Sequence, residues 1–156
     1  MTLQKFDDGI FVDNAKIDKI KNLDAVIFDC DGVLIDITNS YDQAIKKTAD
    51  FVLKEMANID QPNIVSTKMI EGFKATGGFN DEVDATYSFI ISVVAAKKLN
   101  KNTSEFIFDV IKNADQTGIV SVEKYLDTLN VDISEIRKKL AYPGQHNTNP
   151  LYSIFD

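Results

Sequence analysis

Residues 25–36 read Ala-Val-Ile-Phe-Asp-Cys-Asp-Gly-Val-Leu-Ile-Asp, and the fold is decided there. Four apolar residues, Ala25 to Phe28, run without polar interruption into an acid. A short continuous apolar run rich in β-branched and aromatic residues, ended by turn-forming residues, predicts a strand buried on both faces. Residues at i and i+2 of a strand share a face. Asp29 and Asp31 should therefore leave its carboxyl end together, where ligands of open parallel sheets bind. Gly32 lets the backbone turn sharply beside such a ligand. Asp-Gly alone is an ordinary turn dipeptide. The whole string, with Val33, Leu34, Ile35 and Asp36 after it, is more than a turn requires.

Working outward, residues 1–22 hold two short apolar groups among charges, Ile10-Phe11-Val12 and Ile17 with Ile20, expected as an extension packed on the rest of the chain. From Asn39 onward the apolar period lengthens from two to 3.6. Ala44, Ile45, Ala49, Phe51, Val52 and Met56 mark a helix with Asn39 or Ser40 as its cap, and the stretch Asn58 to Asn63, containing Pro62, breaks it. Ser66 or Thr67 caps a second helix that runs through Phe73 to a stop at Gly77-Gly78. Asn80 caps a third, reaching Leu99, and Thr103 begins a fourth through Ile111. Ser121 to Leu129 and Ile133 to Leu140 read as two more. The expected organisation is an extension and strand over 1–38, a helical region over 39–141 and a return segment over 142–156.

Composition bounds what such a chain does. With 156 residues, 44% of them hydrophobic and 26% charged, and only 7 Gly and 3 Pro, the profile is that of a folded globule. A net charge of −7 and a pI near 4.7 argue against a nucleic-acid footprint, which needs a basic face. A small anionic substrate stays compatible, because a bound cation reverses the local field. The single cysteine, Cys30, excludes an internal disulfide and suits a reducing compartment. The opening MTLQKFDDGIFVDNAK carries acids and no long apolar run, so neither a signal nor a transit peptide is expected. Phe89 to Ala96, the longest apolar stretch, is interrupted by Ser92 and is too short to cross a bilayer. No membrane partner and a cytoplasmic setting are therefore expected.

Two carboxylates at this spacing suit phosphoryl transfer. One attacks phosphorus to give an acyl phosphate, and the other protonates the leaving oxygen and later deprotonates water. FDCDGVLID, Phe28 to Asp36, resembles the first motif of the haloacid dehalogenase superfamily in its phosphatase and phosphomutase branch. The resemblance implies an α/β fold: a Rossmann-like core, represented here by its first strand, with a mainly α-helical cap making up most of the chain. It implies Asp29 as nucleophile and Asp31 as general acid/base, with Mg2+ on the Asp29 side chain and the Asp31 backbone carbonyl. Asp31 points to phosphate esters, since the superfamily's dehalogenases lack this second aspartate and its transport ATPases carry threonine there.

Ser40 to about Ala141 is similar in position and length to the family's helical cap inserted between the first and second motifs. KATGGFNDEVDATY, Lys74 to Tyr87, resembles a cap segment of an archaeal and bacterial subgroup of these phosphatases. Lys74 and the Gly77-Gly78 turn are either a substrate-binding loop or a solvated lysine before a helix stop. The implied reaction is magnesium-dependent hydrolysis of a small phosphorylated metabolite.

The chain departs from the family after the cap. A strand ending in Ser or Thr, a lysine, and a strand ending in paired acids are not found. Ile64-Val65-Ser66-Thr67 imitates the second motif but runs straight into a helical pattern, and Asp7-Asp8 precede the first motif. The expectation is an N-terminal portion: a truncated version, a split gene or a degenerate homologue. It would be a poor catalyst alone and would have a C-terminal core half or another copy of itself as partner.

Two other readings fit part of the sequence. Asn113, Asp115, Thr117, Gly118, Val120 and Ser121 match EF-hand loop positions, but Lys124 stands where a bidentate Glu is wanted and Glu123 falls one residue early. The alternative there is an ordinary helix-loop-helix. The other reading is a non-catalytic helical module that binds a partner through open apolar surface. Nucleophilic chemistry at Cys30 is disfavoured, since the only histidine, His146, lies in a distant polar loop.

Overall fold

The computed structural model describes residues 2–36 and 40–140. The chain divides into two compact units, Met1–Asp36 and Ile37–Asp156. Within the described residues it is mainly helical, with one small antiparallel sheet.

In the first unit, β1 (Leu3–Asp7) and β2 (Ile10–Asp13) pair antiparallel, with Leu3 opposite Asp13 and Lys5 opposite Phe11. The two-residue link Asp8-Gly9 closes the hairpin, and Gly9 takes φ +79°, which tight hairpin links require and side chains resist. Asp13 accepts the Ala15 N–H at 3.0 Å and so opens a 3-10 turn, Asn14–Lys16, that leads into α1 (Ile17–Lys21). Among the described residues this unit buries no side chain fully, and Leu3, Phe6, Ile10 and Phe11 are all more than half exposed.

The structure corrects the reading of residues 25–28. They join no ladder, and Ile27 is 96% exposed, so the expected first core strand is not formed. The physical reason is that a strand buried on both faces needs strands beside it and helices over it. The two strands in this unit pair with each other instead.

The second unit holds the core. Its helices are α2 (Tyr41–Ala57), α3 (Thr67–Ala75), α4 (Glu82–Lys98), α5 (Thr103–Asn113), α6 (Ile119–Thr128) and α7 (Ser134–Leu140). Every residue of α4 from Ala85 to Ala96 is buried, because α2, α5, α6 and α7 pack around it. A helix apolar on all sides is a central one. Two of its polar interruptions are satisfied within the helix, while the buried Ser88 Oγ has no hydrogen-bond partner among the described residues. Thr86 Oγ1 donates to Glu82 O at 2.7 Å and Ser92 Oγ to Ser88 O at 2.6 Å, one turn back along the helix. Phe73 joins α3 to this centre, with ring centroids 4.5 Å from Phe79 and 4.9 Å, edge-on, from Phe89.

Helix ends follow local chemistry with small shifts from expectation. Ser66 caps α3 by accepting Met69 N–H, as expected. Asp81 rather than Asn80 caps α4, accepting Val83 N–H at 2.7 Å, while α5 begins at Thr103 as expected, with Asn102 accepting Glu105 N–H as its cap. Asn58, Asn100 and Asn130 adopt positive φ just past α2, α4 and α6. At Asn100 the Lys101 N–H returns to Ala96 O at 2.9 Å, satisfying a terminal carbonyl of α4. The expected return segment after Ala141, with His146, lies outside the described residues.

Candidate functional site

Asp29, Asp31 and Gly32 fall together on one tight turn of the N-terminal unit. The Cys30 carbonyl accepts the N–H groups of Leu34 and Ile35, each at 2.9 Å, and Gly32 N–H donates back to Ile35 O at 2.9 Å. Asp31 and Ile35 thereby form an isolated bridge. Gly32 sits at φ +76°, so the sharp turn expected of a glycine here is present. Asp29 Oδ1 accepts the Cys30 N–H at 2.7 Å. Residues 29–36 are all exposed, as is the Cys30 thiol. The carboxylates thus sit on a hydrogen-bonded turn rather than at the end of a ladder.

Exposed carboxylates and a backbone carbonyl are hard oxygen donors, the kind that fit magnesium. They form a partial set, since among the described residues no three His, Cys, Asp or Glu side chains gather closely enough to hold a metal ion.

Lys74 belongs to the helical unit. It stands in the last turn of α3 with Nζ 3.6 Å from Asp42 Oδ1. Asp42 lies in the first turn of α2 with its side chain only 9% exposed, whereas Lys74 is 39% exposed. No motif in the sequence marks Asp42, yet a signal is there. It shares the buried face of α2 with Ile45, Ala49 and Val52, at spacings of three, four and three residues. An acid on an apolar stripe calls for a partner. Beside it, Lys46 Nζ donates to Thr67 Oγ1 at 2.8 Å, so α2 and α3 are pinned twice.

The loop compared with an EF-hand is closed by its own hydrogen bonds. Asp115 Oδ1 accepts both the hydroxyl and the backbone N–H of Thr117, at 2.6 and 2.7 Å, which holds its carboxyl below the ordinary value. Asp115 N–H donates to Ser121 Oγ, which donates in turn to Gly118 O at 2.6 Å. Glu123 is engaged elsewhere, accepting the Tyr87 hydroxyl at 2.8 Å and lying 3.4 Å from Arg137 Nε. Burial, and after it the bond to Glu123, raises the Tyr87 phenol far above its ordinary value.

A cleft of about 170 Å³ lies among α2, α4 and α7, lined in part by Met56, Val94, Lys98, Glu135 and Lys139. Within it Lys139 Nζ donates to Met56 O at 2.7 Å and lies 3.0 Å from Glu135. Among the described residues no helix is long and apolar enough to cross a membrane. No family model, no curated protein and no solved structure matches this chain.

Proposed function

We propose that this chain carries the nucleophile-bearing turn and the helical cap of a magnesium-dependent phosphatase of the haloacid dehalogenase type, acting on a small phosphomonoester in the cytoplasm. One observation carries the reading. The string FDCDGVLID folds into a turn in which Cys30 O gathers two amides and Gly32 takes a left-handed conformation, leaving Asp29 and Asp31 two residues apart and open to solvent. Such a turn presents a nucleophile and a proton carrier to the same ligand.

In the proposed reaction an Asp29 carboxylate oxygen attacks phosphorus while the bond from phosphorus to the leaving alcohol breaks. Asp31, protonated, gives its proton to the departing oxygen. Its carboxylate then takes a proton from water, whose oxygen bonds to phosphorus. The acyl-phosphate bond breaks and inorganic phosphate leaves, with Asp29 restored. Magnesium would sit on the Asp29 carboxylate and the Asp31 backbone carbonyl and offset the repulsion between carboxylate and phosphoryl group. The Ser/Thr, lysine and paired acids missing from the sequence would supply most of the remaining electrostatic support, usually the largest part of catalysis. Lys74 is proposed to bind substrate, with Asp42 as the partner that steadies it.

The test is phosphate release from a panel of small phosphomonoesters, with and without magnesium, for this chain and for Asp29→Asn. A slow magnesium-dependent release lost in Asp29→Asn supports the reading, and equal release from both proteins sinks the nucleophile assignment.

A second reading, a non-catalytic helical module that binds a partner, is favoured by one observation. Most large apolar side chains of the N-terminal unit, Leu3, Phe6, Phe11, Ile27 and Phe28 among them, are more than half exposed. Surface of that kind usually has a partner. This reading predicts self-association or capture of a partner, and no phosphate release at any magnesium concentration.

A further inference from the structure

We draw no further inference here: the strongest candidate, the apolar groove of the N-terminal unit lined by Phe6, Ile10, Val12, Ile17, Ile20 and Lys21, is an unpartnered face, and nothing in the structure shows what covers it.

Discussion

Gly78 and Gly118 meet backbone to backbone. A Cβ on Gly78 would strike Asp115 O and lie 2.8 Å from Gly118 Cα, and a Cβ on Gly118 would strike Gly78 O. The turn after α3 is thus seated against the turn before α6, and neither position has room for a methyl group. Gly118 also sits at φ +61° and ψ −129°, a region that side chains resist. Gly118→Ala therefore combines strain with a clash and should cost about 3 kcal/mol or more. Gly77→Ala meets nothing within 4 Å and has only its φ of +80° against it, so about 1 kcal/mol is expected. Urea unfolding of Gly77→Ala, Gly78→Ala and Gly118→Ala checks the order. Equal losses at all three positions would contradict the close approach.

Lys74 and Asp42 form a second testable pair. Removing the lysine leaves a carboxylate whose side chain is 9% exposed without its cation, while the lysine itself is 39% exposed and partly screened. Lys74→Met should cost about 1–2 kcal/mol, less than for a fully buried pair. In the double variant with Asp42→Asn, about 1 kcal/mol should return. A double-mutant cycle by denaturant unfolding measures it. Coupling near zero would mean that Lys74 is a solvated lysine with no structural anchor.

Tyr87 sets a limit at alkaline pH. Its phenol is raised above the ordinary 10.0, first by burial and then by the Glu123 hydrogen bond. A raised value in the folded state means that folding favours the neutral form. The contribution is whole below pH 10, where the unfolded tyrosine starts to ionise, and is lost as pH climbs toward the folded value. Stability should fall from about pH 10 upward. Absorbance at 295 nm should show one tyrosine ionising only with unfolding, and Tyr87→Phe should flatten the decline. Normal ionisation of every tyrosine in the folded protein would contradict the buried hydrogen bond.

Hydrogen exchange should separate the two units. Amides of residues 25–28 join no ladder and should exchange at close to free-chain rates. Amides of α4 around Ile90 and Ile91, whose side chains are 0% exposed, should be the slowest in the protein. Protection at 25–28 comparable to that of α4 would mean that the strand expected from the sequence forms in solution.

The helical unit is legible in the sequence because its signals are local. The 3.6-residue period and caps such as Ser66 place six helices to within a few residues. Phe51 shows the limit of periodicity. It falls on the apolar stripe expected of α2 and is 59% exposed, while Leu53, outside that stripe, is buried. Asn58, Asn100 and Asn130 stop helices as Gly77 does, but asparagine at positive φ is harder to foresee than glycine. The expectation of a plain extension over 1–22 passes over the hairpin. Asp8-Gly9 between Lys5-Phe6-Asp7 and Ile10-Phe11-Val12 is nonetheless the strongest short-range hairpin signal in the chain. The expected strand at 25–28 fails for a different reason, since an apolar run states what a segment can bury and not what is there to bury it against. Of the site, the turn at Gly32 is read from one residue type, whereas the Lys74 and Asp42 pairing joins residues 32 positions apart and rests on tertiary packing.

The central claim is that Asp29 is the group phosphorylated. Trapping tests it without requiring turnover. The protein is incubated with magnesium and an aryl phosphate, and the acyl phosphate is captured with hydroxylamine and located by peptide mass spectrometry. The account predicts a mark on Asp29 that accumulates further in Asp31→Asn, where hydrolysis of the intermediate lacks its base, and that disappears in Asp29→Asn. No mark on Asp29 in the unaltered protein, or the same yield from Asp29→Asn, would contradict it.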